Sequence, residues 1–130
     1  MDTEWTAFKG RQFGSRARNE IRVTVSAKGT IYLNNRAYEA LGMPPAVELL
    51  IDPNATKIGL RVTDPTFENA FAVKPHGTTG RYKRIAASAF FQHYRIKLQF
   101  TRMFHRPDLD RHEVLVLDLT TAVNIARGAR

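Results

Sequence analysis

The chain contains no cysteine. That excludes disulfides, thiolate metal sites and cysteine nucleophiles, and it is the usage expected in a reducing compartment. Long apolar runs are also missing: nothing approaches the roughly 18 residues a helix needs to cross a bilayer. The opening Met1-Asp2-Thr3-Glu4-Trp5 has no basic segment followed by an apolar one. The expectation is a cytoplasmic protein of bacterial or phage type that makes no membrane contact. No phosphate-binding loop or dinucleotide fingerprint occurs. A further absence is local: from Phe71 to Arg106 there is not one Asp or Glu.

Cations fill that acid-free stretch: Lys74, Arg81, Lys83, Arg84, Arg95, Lys97, Arg102 and Arg106. The remaining charges nearly cancel, so the formal net charge of +8 resides in this block. Charge held in one block makes a local field, and a positive field attracts polyanions. Nucleic acid is therefore the leading partner, with an acidic protein surface as the rival.

With 130 residues, 43% of them hydrophobic and eight of them Phe, the chain has material for one domain with its own core. Residues 21–25 alternate apolar and polar, as a half-buried strand does. Lys28-Gly29 turns, and Thr30 to Leu33 is a second strand. Asn34 caps a short helix from Asn35 to Leu41 that Gly42 ends and Pro44-Pro45 prevents from continuing. Ala46 to Ile51 and Lys57 to Val62 are strands around an Asp52-Pro53-Asn54 turn.

After Thr63-Asp64-Pro65 the order returns. Ala70 to Lys74 and Arg81 to Ile85 read as strands. Ala86 to Tyr94 has helical spacing, with Ala89, Phe90 and His93 on one side. Ile96 to Phe104 is extended, and His112 to Leu119 is the last strand. The predicted architecture is α+β and mostly β: a basic, mobile N-terminal arm (1–20), a single domain (21–119) of two ββαββ pseudo-repeats (21–62 and 70–119) with two short helices, and a short tail (120–130). Two copies cannot close a propeller, whereas a barrel of two interlocking halves leaves no sheet edge exposed.

The run Val23-Thr24-Val25-Ser26-Ala27-Lys28-Gly29-Thr30-Ile31-Tyr32-Leu33, then Ala37-Tyr38-Glu39-Ala40-Leu41-Gly42-Met43, then Val47 to Asp52, resembles the AbrB/SpoVT swapped-hairpin family. The resemblance implies a swapped-hairpin-like barrel, usually assembled from two chains. The internal repeat is similar to the tandem MraZ-like arrangement, in which one chain makes both halves. The chain departs from the pattern at Asn34-Asn35, where the family has Pro-Lys or Pro-Ala. It departs again at Tyr38, where the family often has an arginine, and at Pro44-Pro45-Ala46, where it has a Gly-Asp turn. Only Arg22 and Lys28 match the family's basic strand and turn positions, so the second half is expected to dominate any DNA contact.

The loop Gly77-Thr78-Thr79-Gly80 followed by Arg81, Lys83 and Arg84 is the best candidate contact element. Glycines let backbone amides approach phosphates, hydroxyls donate, and cations release counterions. Strand alternation puts Arg81 and Lys83 on one face and Tyr82 and Arg84 on the other. A Gly-x-x-Gly phosphate clamp needs flanking helices, and here strands flank it; the plain alternative is a hairpin loop with solvated charges. Lys74 joins this set, as do Arg16 and Arg18 of the arm, since basic arms enter minor grooves or fold on binding. Arg95, Lys97, Arg102 and Arg106 either complement a helix dipole or contact phosphate. Tyr94, Phe100 and Phe104 among them read as core.

His105, Asp108, Asp110, His112 and Glu113 cluster in sequence, but their spacing matches no ligand pattern, and Pro107-Asp108-Leu109-Asp110 is good turn chemistry. Ser26 and Ser88 lack an adjacent base. The expectation is a non-enzymatic DNA-binding protein, AbrB-like and a transcriptional regulator, that engages duplex DNA without cofactor or metal. The alternative is a protein-interaction or structural subunit of a larger bacterial or phage assembly, docking an acidic partner. A third reading is a small hydrolase or nuclease at the His/Asp cluster. Exchange of halves about Thr63–Thr66 would make a homodimer.

Overall fold

The computed structural model describes residues 20–52, 54, 56–105 and 107–125. The predicted arm, with Arg16 and Arg18, lies outside them apart from Glu20, as do Arg106 and the last five residues of the tail. The described chain is mostly β, with strands in two antiparallel sheets and two short helices.

Strands β1 (Arg22–Val25) and β2 (Thr30–Asn34) form a hairpin in which Val23, Val25, Ile31 and Leu33 point inward. Ser26 tightens its turn: its Oγ accepts from the Thr30 N–H (3.1 Å) and its carbonyl from Gly29 (2.9 Å). Helix α1 (Asn35–Ala40) starts at Asn34, whose Oδ1 accepts from the Ala37 N–H at 2.9 Å. It stops where Gly42 turns left-handed and the Gly42 and Met43 amides bond back to Glu39 and Tyr38.

Strands β3 (Ala46–Ile51) and β4 (Lys57–Val62) pair around a turn held by Asp52, which accepts from the Thr56 and Lys57 amides, both at 2.7 Å. Opposite each other on this hairpin, Glu48 and Arg61 form an ion pair at 2.8 Å.

The strand predicted over Ala70 to Lys74 is split at Val73. Strand β5 (Phe71–Ala72) pairs with β3, while β6 (Lys74–His76) pairs with β7 (Tyr82–Ala86) in the other sheet. Helix α2 (Ser88–His93) begins two residues later than its spacing predicts, because Ala86 completes β7 and Ala87 is the cap. Its buried residues are Phe90 and Phe91, while Ala89 and His93 are exposed.

Of the extended segment predicted over Ile96 to Phe104, only the part from Thr101 onward is strand, in β8 (Thr101–His105). Before it the chain reverses at Arg95 (φ 57°), and the Ile96 amide bonds to the Phe91 carbonyl. The short strand β9 (Asp108–Leu109) leads into β10 (Leu115–Asp118), and His112 and Glu113 belong to the turn between them. The tail is not wholly outside the domain: β11 (Val123–Ile125) pairs with β8.

One sheet has the order β11-β8-β1-β2-β7-β6, the other β5-β3-β4-β10-β9. Val23, Ile31, Leu33 and Ile85 from the first meet Val47, Ile58, Leu60, Leu115 and Leu117 from the second in one cluster, all essentially inaccessible.

Asp52, Asp110 and Asp118 hold three turns through the backbone. The Lys57 amide does most to lower the Asp52 carboxyl below its ordinary value, the Val114 amide that of Asp110, and the Thr120 hydroxyl and amide that of Asp118. A depressed folded-state pKa contributes stability above the unfolded value, and that stability is lost as pH falls through the folded value. Below about pH 4 these turns should weaken. The combined Asp52→Asn, Asp110→Asn, Asp118→Asn variant keeps an acceptor oxygen at each turn. Thermal melts between about pH 5 and about pH 2.5 should then show a smaller acid-induced drop than wild type. Equal drops would remove these carboxylates from the acid response.

Candidate nucleic-acid interface

The outward face of the first sheet is fixed by register. Val123, Met103, Thr24, Tyr32, Arg84 and Lys74 form one cross-strand row, each directly opposite the next. Two residues further along the strands lie Arg22, Asn34, Tyr82 and His76, with Asn34 facing Tyr82 and Tyr82 facing His76. Among the described residues, no strand position on this face carries Asp or Glu; Glu20 precedes β1.

Lys74 and Arg84 are therefore direct neighbours, as cross-strand pairs are. The Arg84 guanidinium is held in place, its Nη1 donating to the Pro75 carbonyl at 2.6 Å. Lys74 is exposed. Tyr32 and His76 meet edge to face with centroids 4.8 Å apart. They reach each other across β7, which lies between their strands. Tyr82 is 40% exposed on the same surface. Arg22 shares the face, although its Nε is buried without a hydrogen-bond partner.

Lys83 points the other way. It faces Leu33 across the ladder, and its Nζ sits 4.8 Å from the centroid of the Tyr38 ring on α1. Such a cation–π contact holds the ammonium beside the helix. Arg81 is exposed at the end of the loop, where its amide donates to Thr79 Oγ1 at 3.3 Å. With the Asn35 amide turned to satisfy both partners, its Nδ2 donates to the Gly80 and Arg81 carbonyls at 3.1 and 3.2 Å. The first residue of α1 thus braces the candidate loop.

Lys28 is separated from this group. It sits in the β1–β2 turn, at the opposite end of β2 from Asn34, which faces Tyr82. Arg102 is engaged elsewhere, with Nη1 donating to the Leu119 carbonyl at 3.2 Å. Arg95 and Lys97 lie exposed beyond the end of α2. Of the interleaved aromatics Phe104 is buried, but Tyr94 and Phe100 are about half exposed.

No family model, curated protein or solved structure matches this chain.

Asp110 of the His/Asp cluster serves its own turn, its Oδ1 accepting from the His112 and Val114 amides at 2.8 and 3.0 Å. Among the described residues no group of three His, Asp or Glu is placed to hold a metal ion. None of their helices is long and apolar enough to cross a membrane. Tyr32 and His76 do not stand out as site residues in the sequence. The signal for Tyr32 is there, because alternation in Thr30–Asn34 puts it on the face opposite Ile31 and Leu33.

Proposed function

We propose that the protein is a non-enzymatic DNA-binding protein that offers phosphates the basic end of β6, β7 and their loop, and that it acts in transcriptional regulation. The observation that carries this reading is the adjacency of Lys74 and Arg84, with Arg81 at the loop, on a sheet face whose described strand positions hold no carboxylate. Cations so grouped gain affinity for a polyanion by releasing its counterions.

The same proposal includes an AbrB-like barrel of two pseudo-repeats. Support comes from strand pairing. Thr30 faces Ala86 and Asn34 faces Tyr82, so β2 and β7 exchange about the central pair Tyr32 and Arg84. Likewise Ile58 faces Leu117 and Leu60 faces Leu115, about Gly59 and Val116. Only Val73 separates β5 from β6, and only residues 106 and 107 separate β8 from β9, so each of these segments joins both sheets. The turns interlock in the same sense. The Gly29 carbonyl accepts from Ala87 at the start of α2, and the Gly80 carbonyl from Asn35 at the start of α1.

The test is fluorescence anisotropy of a labelled random duplex at low and near-physiological salt, with wild type and the Lys74→Ala, Arg81→Ala, Arg84→Ala triple variant. Wild type should bind with steep salt dependence. The variant should bind at least about tenfold more weakly, and its salt slope should fall by roughly one for each phosphate it no longer neutralises. Circular dichroism establishes that the variant folds. No binding of duplex or single-stranded DNA by wild type at low salt would overturn the reading and assign the basic block to an acidic protein partner.

A further inference from the structure

From the same face, and resting on the nucleic-acid reading above, we infer that the outer surface of β2, β7 and β6 takes unpaired bases, so that the preferred ligand is single-stranded DNA. Tyr82 stands exposed on β7 with His76 directly opposite on β6. Tyr32, one strand over from β7, leans across to contact the His76 ring at 4.8 Å between centroids. Lys74 and Arg84 lie in the adjoining row, two residues along the same strands. Rings and cations thus alternate over a surface without a carboxylate at its described strand positions. That is the pairing single strands use: bases stack on aromatic faces while the backbone follows the positive charge.

The shape of the face argues the same way. A duplex shows base faces only at its ends, and its major groove is read by an inserted helix or two-stranded ribbon. Here the rings lie on the side of a six-stranded sheet, and the two described helices have six residues each. Neighbouring outward positions set diagonally on adjacent strands, such as Tyr32 and Tyr82, are about 7–8 Å apart. Stacked bases of a duplex cannot separate to that spacing, whereas an extended strand can.

The experiment uses the full-length protein with a labelled oligothymidine and a duplex of equal length and mixed sequence, at one salt concentration. Wild type should bind the single strand at least about tenfold more tightly, and Tyr82→Leu should weaken single-strand binding by about five- to hundredfold, well beyond its effect on duplex affinity. His76→Ala should act in the same direction. Equal or tighter binding of the duplex by wild type would overturn this inference and leave the DNA-binding reading standing. Binding of neither ligand would overturn both. The wild-type comparison is decisive without the variants, and Tyr82→Leu lowering both affinities equally would also count against stacking.

Discussion

Replacing Asn34 with leucine should destabilise the fold by about 3–4 kcal/mol, because one side chain serves three backbone groups. Its Oδ1 accepts from the Ala37 N–H at 2.9 Å and from the Arg22 N–H at 3.1 Å, while its Nδ2 donates to the Glu20 carbonyl at 2.8 Å. It thereby caps α1 and ties the start of β1 to the end of β2. The residue is only 9% exposed, so water cannot readily replace these bonds. Loss of an N-cap alone costs roughly 0.5–2 kcal/mol, and each buried group left unsatisfied adds about 1–3. Leucine also brings a branched side chain to a position shaped for an amide.

Asn34→Asp separates the contributions. Aspartate keeps both acceptor bonds but sets a carboxylate oxygen against the Glu20 carbonyl, so it should fall between wild type and the leucine variant. Urea denaturation of the three proteins checks the order. A leucine variant within about 0.5 kcal/mol of wild type, the ordinary range of surface substitutions, would show that these bonds are remade elsewhere.

Asn34 also illustrates what was legible in the sequence. A side-chain cap before a short helical segment, ended by Gly42 and two prolines, is a local signal, and the helix formed where that signal put it. The β3–β4 hairpin was legible for the same reason: turn residues stand between two apolar runs. Elements fixed by distant partners were less so. Strand β11 forms because Val123, Asn124 and Ile125 find β8 as a neighbour, and nothing local in the tail announced that. The spacing grouped Phe90 with Ala89 and His93, but the buried pair is Phe90 and Phe91, because a six-residue helix gives too few positions to fix its phase. Alternation correctly divided Arg84 from Lys83, as a two-residue period must. It could not give the register of β6 against β7 or place β2 on the other side of β7, and so could not set Lys74 directly opposite Arg84 or bring Tyr32 to His76. Those juxtapositions depend on register across the sheet, set by pairing at long range.

Gly29→Ala should cost about 3 kcal/mol or more, well above the cost of the same change at Gly42. Both glycines hold a left-handed backbone, with φ of 92° at Gly29 and 88° at Gly42. An L side chain there costs roughly 1–2 kcal/mol at either position. The surroundings differ. A Cβ on Gly42 would meet nothing within 4 Å, whereas one on Gly29 would lie 2.8 Å from the Ser88 Cα, a backbone atom at the start of α2. That helix cannot retreat freely: Phe90 and Phe91 anchor it in the core, and the Ala87 amide donates to the Gly29 carbonyl at 3.0 Å. Relieving the clash therefore means lifting α2 and loosening two buried rings, a disturbance comparable with overpacking a core at about 1–3 kcal/mol. Gly42→Ala reports the backbone cost alone, so the difference between the two variants in equilibrium denaturation measures how firmly the first hairpin presses on the second helix. Equal costs would mean that α2 yields without penalty. A large excess at Gly29 would mean that the β1–β2 turn and α2 are mechanically joined, as the proposed pair of interlocked halves requires.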